Sequence, residues 1–133
     1  MKKDIRILVL DDDLEFIGEL AEILETSNID IKATDSRELM IKRALSLHPD
    51  VIVLDSDMES RFHHSLSKDL DSNPNTHDIP VMILEDKTSH GDLHQPDKEY
   101  IHKPFRIEQF LRSIQNLLLT RVNIFSPLIF PVF

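Results

Sequence analysis

The segment V-I-V-L-D at residues 51–55 sets four consecutive large apolar side chains directly before a carboxylate, Asp55. A strand with one wet face alternates apolar and polar residues. A run without a polar position is buried on both faces, as strands are in a parallel sheet between two helical layers. Two other runs have the same form: Ile5 to Leu10, wholly apolar from Ile7 onward, stops at Asp11-Asp12-Asp13, and Val81 to Leu84 stops at Glu85. Ile29, Ile31 and Ala33 alternate with polar residues as in a further strand, and Tyr100-Ile101 makes a short one before Lys103-Pro104.

Helical periods fill the intervals. Leu14, Ile17, Leu20, Ala21 and Leu24 recur at helical spacing through about Ser27, where Asn28 breaks the pattern. Asp35 followed by Glu38 resembles a capping box opening a helix through Leu47, closed by His48-Pro49. A third helix is predicted from about Phe62 to Leu70, stopped by D-S-N-P at 71–74. The polar stretch from Asp86 to Asp97 supports only a short or irregular fourth helix. The last runs from about Ile107 to Arg121, with Phe110, Leu111, Ile114, Leu117 and Leu118 on its apolar side.

Five strands alternating with five helical segments predict a single doubly wound α/β domain with a five-stranded parallel sheet. Right-handed crossovers then bring every strand's carboxyl end to one edge, and ligands of open α/β sheets bind in the crevice outside it.

Composition narrows the chemistry. The 133 residues carry a net charge of −9, which opposes direct nucleic-acid binding. There is no cysteine, hence no disulfide and no thiolate site, and with only two glycines no glycine-rich phosphate loop can form. No apolar run is long enough to span a membrane, and a cytoplasmic protein is expected.

Asp11-Asp12-Asp13, Asp55 with Asp57 close by, Glu85 and Lys103 all end strands at the same edge. Carboxylates gathered in one crevice repel one another and call for a cation or raised pKa values. Hard oxygen donors suit Mg²⁺, a lysine opposite would neutralise a phosphoryl group, and a carboxylate can itself be the nucleophile that forms an aspartyl phosphate. Asp13 also fits as the N-cap of the first helix.

The segments I-L-V-L-D-D-D (7–13), P-D-V-I-V-L-D-S-D-M (49–58), I-P-V-M-I-L (79–84) and Y-I-H-K-P-F (100–105) together resemble the receiver domains of bacterial two-component response regulators, over roughly residues 4–121. The resemblance implies a CheY-like, flavodoxin-like fold with strand order 2-1-3-4-5, and a regulatory domain rather than an enzyme. It implies that Asp55 accepts a phosphoryl group from a histidine kinase or phosphotransfer protein. It also implies that Asp11 and Asp12 hold Mg²⁺, with Asp12 the direct ligand, and that Asp57 lends its backbone carbonyl. Lys103 would contact the phosphoryl oxygens, Tyr100 would be the aromatic that rotates inward on activation, and the bond before Pro104 would be cis.

Three features depart from that family's pattern. Glu85 stands where the family has the switch Thr or Ser, and an ionised carboxylate cannot donate that hydrogen bond. Two negative charges about 4 Å apart repel by roughly 4 kcal/mol at an effective dielectric near 20. Glu85 is therefore expected to swing out, bind the metal or weaken phosphorylation. Glu59 replaces a common proline, and the stretch from Glu85 to Tyr100 is short. A pseudo-receiver acting as a protein-interaction scaffold is the alternative, and a haloacid-dehalogenase-like phosphohydrolase, from the D-x-D of Asp55 and Asp57, a remote one.

The seven histidines, His63-His64 and the His90/His94 pair included, read as surface residues without a zinc spacing. Residues 122–133 form an apolar tail, expected to fold on its own domain or to dock on another subunit, a homodimer contact included.

Overall fold

The structure, a computed structural model, describes residues 3–60, 65–86 and 94–119. The elements are β1 (Ile5–Leu10), α1 (Leu14–Ile23), β2 (Ile29–Thr34), α2 (Arg37–Leu47), β3 (Val51–Asp55), α3 (Ser56–Glu59), α4 (Leu66–Ser72), β4 (Val81–Glu85), β5 (Glu99–His102) and α5 (Ile107–Leu119). The strands form one parallel sheet in the order β2-β1-β3-β4-β5, as expected.

Pleat alternation divides the core into two layers. Ile7, Val9, Val51, Val53, Leu84 and Ile101 pack with Leu20 of α1 and with Phe110 and Ile114 of α5. Leu8, Leu10, Ile52, Leu54, Val81 and Ile83 pack with Met40 and Ala44 of α2 and with Leu66 and Leu70 of α4. All four apolar residues of β3 are fully buried, which is why that run contains no polar residue. Burying each such side chain contributes about 1.5–3 kcal/mol.

The helix ends differ from expectation in instructive ways. Asp13 caps α1, accepting the Phe16 N–H at 3.0 Å. That helix stops at Ile23 rather than near Ser27. There the Lys3 ammonium donates to the carbonyls of Leu24, Glu25 and Ser27, and the Ser27 hydroxyl also donates to Leu24. Carbonyls left over at a helix end need partners, and a lysine is well suited to supply them.

The cap of α2 is Ser36, not Asp35: its hydroxyl accepts the Leu39 N–H at 3.2 Å. His48 closes the helix in a left-handed conformation at φ 46°, immediately before Pro49. The one-turn α3 has no counterpart in the sequence pattern. Ser65 caps α4, which runs to Ser72. Of the expected features, the start of the third helix near Phe62, the irregular fourth helix over most of its length, the end of the last helix at Arg121 and the tail at 122–133 lie outside the described residues.

Candidate functional site

Register decides which strand-end side chains meet. Val51 and Val53 face the α1/α5 layer, and Asp55 is in step with them. Asp11 follows Ile7 and Val9 in the same phase, and Lys103 follows Ile101. Three charged residues distant in sequence thus emerge on one side of the sheet. Glu85 is in step with Val81 and Ile83, so it emerges on the α2/α4 side.

The distances agree. Lys103 Nζ lies 2.5 Å from Asp11 Oδ2 and 3.3 Å from Asp55 Oδ1. The other Asp11 oxygen accepts the Asp13 N–H at 3.0 Å, and Asp55 Oδ2 accepts the Met58 N–H at 3.1 Å. Asp55 therefore doubles as the N-cap of α3, whose single turn fixes its carboxylate. Lys103 is anchored further by its backbone N–H, which donates to the Glu85 carbonyl, and by the Phe16 ring, whose centroid lies 4.7 Å from Nζ. Phe16 meets Phe105 edge-on, and Phe105 stacks on Phe110, so the ammonium sits at the end of an aromatic row. A cleft of 640 Å³ opens beside it, with Asp13, Glu15, Asp86 and Phe105 in its walls. The Lys103–Pro104 peptide bond is cis.

Burial and charge act against each other here. Desolvation raises the Asp55 pKa, helped by the neighbouring Asp11; the Met58 N–H and Lys103 pull it down without cancelling the rise. Burial alone would lower the pKa of Lys103. The hydrogen bond and charge of Asp11, with those of Asp55, outweigh it and raise the value. Asp11 is almost fully buried, whereas Asp12 and Asp57 are exposed at the crevice.

These residues suit a small hard cation. Asp11 and Asp55 share one ammonium while Asp12 stands beside them facing solvent. Among the described residues no three His, Cys, Asp or Glu side chains form a closed metal cage. Mg²⁺ does not need one, since it takes one or two carboxylates and completes its shell with water and phosphate oxygens. The donor set fits that ion.

Glu85 neither swings out to solvent nor stands alone. It is 4% exposed, and His94 Nε2 lies 2.9 and 3.0 Å from its two oxygens. His102, its register partner on β5, approaches one of them at 3.6 Å. His94 stacks flat on Tyr100, with centroids 3.6 Å apart and planes 6° from parallel. The Tyr100 hydroxyl accepts the Gln95 N–H at 2.7 Å. His94 and His102 are exposed, as expected from the sequence, and they also belong to the surroundings of the site. The Glu85–His102 pairing is a register relation between adjacent strands, and a strand-by-strand alignment could have found it. His94 lies nine positions beyond Glu85 in an irregular stretch, where spacing carries no such signal.

The model of the response regulator receiver domain family matches residues 7–115. The heme response regulator HssR of Staphylococcus aureus is 29% identical over 126 residues, which cover 92% of this chain and 54% of that protein. The chain thus spans about half the length of the curated relatives it matches. Among solved structures, a response regulator from Desulfuromonas acetoxidans superposes with a TM-score of 0.79 at 22% identity, covering 90% of this chain and all of the other. The Francisella response regulator 1452 receiver domain superposes at 0.72 with 25% identity, covering 88% and 98%. In sequence and in fold, the chain belongs to the receiver domains of two-component response regulators.

Proposed function

We propose that Asp55 is the phosphoacceptor of this domain, and that a histidine kinase or phosphotransfer protein supplies the phosphoryl group. The observation that carries this reading is the Lys103 ammonium held between Asp11 and Asp55, 3.3 Å from Asp55 Oδ1. The Met58 N–H holds Oδ2, and Oδ1, on the side of Lys103, is the oxygen assigned to the new P–O bond. The donor's P–N bond breaks, its imidazole leaves, and Lys103 remains beside the phosphoryl oxygens. Asp11 orients that lysine. When bound by Asp11, Asp12, Asp55 and the Asp57 carbonyl, Mg²⁺ would neutralise charge on the transferred group.

The reading assigns residues 1–121 to the receiver and 122–133 to an accessory apolar tail. The domain acts in the cytoplasm as a regulatory module rather than an enzyme, signalling through protein contacts and without touching nucleic acid itself. Mass spectrometry after treatment with acetyl phosphate and Mg²⁺ tests it. The expected result is one added phosphoryl group in the wild type and none in Asp55→Asn. No addition in the wild type would favour the alternative, a phosphate-independent scaffold, to which the buried Glu85 side chain in place of the switch hydroxyl lends support.

A further inference from the structure

The family's hydroxyl is replaced by Glu85, and the residues around that carboxylate suggest what stands in for the missing switch. It lies on the opposite pleat from Asp55, is nearly inaccessible to solvent, and meets two imidazoles. His94 Nε2 is almost equidistant from the two carboxylate oxygens, so a single N–H serves both. The flat face of the same imidazole stacks on Tyr100, whose hydroxyl is fixed by the Gln95 N–H. Gln95 is tied in turn to Ser67, and Ser67 to Glu59, which lies at the end of the turn that Asp55 caps. Two sets of contacts, one from Glu85 through His94 and one from the turn that Asp55 caps through Ser67 and Gln95, therefore meet at one aromatic ring.

We propose that His94 is a positioning residue: it holds the Glu85 carboxylate away from Asp55 and links that carboxylate to Tyr100, replacing the switch hydroxyl. The proposal rests on the reading of Asp55 as phosphoacceptor. A negative charge at the end of β4 would oppose a second one arriving at the end of β3, the neighbouring strand. Held by His94, it faces β5 instead. A phosphoryl group that disturbs Glu85 must then disturb the His94–Tyr100 stack, because the same ring makes both contacts.

The composition supplies a direct readout. Tyr100 is the only tyrosine and tryptophan is absent, so intrinsic fluorescence reports on Tyr100 alone. Wild type, His94→Ala, Glu85→Gln and the double variant are treated with acetyl phosphate and Mg²⁺, following Asp55 phosphorylation by mass and Tyr100 emission together. Circular dichroism confirms that each variant is folded, and Glu85→Gln keeps an acceptor for His94 if the alanine variant proves unstable. Phosphorylation of His94→Ala should slow about tenfold, as expected for a released like charge near the site. The double variant, lacking that charge, should recover most of the rate. A side chain with a purely structural role would not be rescued by removing a charge elsewhere. Wild-type emission should change on phosphorylation, and this change should vanish in His94→Ala.

A normal rate in His94→Ala, no recovery in the double variant, or an emission change that persists without the imidazole would each overturn the proposal while leaving Asp55 as acceptor. In Glu85→Gln, an emission change as large as the wild type's would count against the carboxylate as the link. A wild type that takes up no phosphoryl group would overturn the reading of Asp55 itself, and this proposal with it.

Discussion

Burial and charge oppose each other at Asp55, and burial wins. Its carboxyl holds a proton more readily in the fold than in the unfolded chain, chiefly because it is desolvated. For an acid with a raised folded pKa, the stabilising contribution is complete below the ordinary carboxylate range and is lost as pH rises through the folded value. At neutral pH the ionised Asp55 therefore costs stability. Asn keeps the acceptor that caps α3 and sheds the charge, while Lys103 retains Asp11. Asp55→Asn should stabilise the domain by about 1 kcal/mol at pH 7, seen as a Tm increase of a few degrees. The gain should shrink towards zero near pH 3, where wild-type Asp55 is itself protonated in both states. A variant that melts lower at pH 7 would mean that Asp55 serves the fold rather than the chemistry. Tyr100 is also pushed to higher pKa, by burial first and then by Glu59 and Glu85, so its hydroxyl stays protonated where it accepts the Gln95 N–H.

The strands were legible in the sequence because burial on both faces removes every polar residue from β3 and β4 ahead of their terminal carboxylates. A short, wholly apolar run of that kind fits little except a strand covered on both sides. The same periodicity put Asp11, Asp55 and Lys103 at one edge. It also contained, unread, the information that Glu85 sits on the other pleat. Helix boundaries were less legible because each depends on a few individual hydrogen bonds. Asp35 and Ser36 are both good capping residues one position apart. Only backbone geometry selects Ser36, whose extended φ of −112° and ψ of 122° aim its hydroxyl at the Leu39 N–H. Four residues of α3 carry no readable period at all. Ser36→Ala should cost about 1 kcal/mol of unfolding free energy, while Asp35→Ala should stay within about 0.5 kcal/mol of wild type. Urea denaturation of the two variants distinguishes the assignments, and a larger loss in Asp35→Ala would move the cap to that residue.

At the scale of the whole molecule, the sheet has two apolar faces and each is closed by two principal helices. Among the described residues, the α1/α5 layer has its last buried contacts at Leu117 and Leu118, and the α2/α4 layer takes in Tyr100 of β5 after Ile83. Several large apolar residues follow residue 121, among them Phe125, Leu128 and Phe130. A chain of this size with one continuous sheet should unfold as a single cooperative unit. A chain ending at residue 121 should accordingly keep one urea transition, with a stability within about 1 kcal/mol of the full chain. Light scattering on the same two samples reads the second use of the tail. If residues 122–133 join two copies, the mass per particle falls to that of one chain on deletion while the transition keeps its slope. Loss of cooperativity would instead make the tail part of the core, because the slope tracks the surface exposed on unfolding. The expected retention of slope follows from the two layers, which among the described residues already cover both faces of the sheet without the tail.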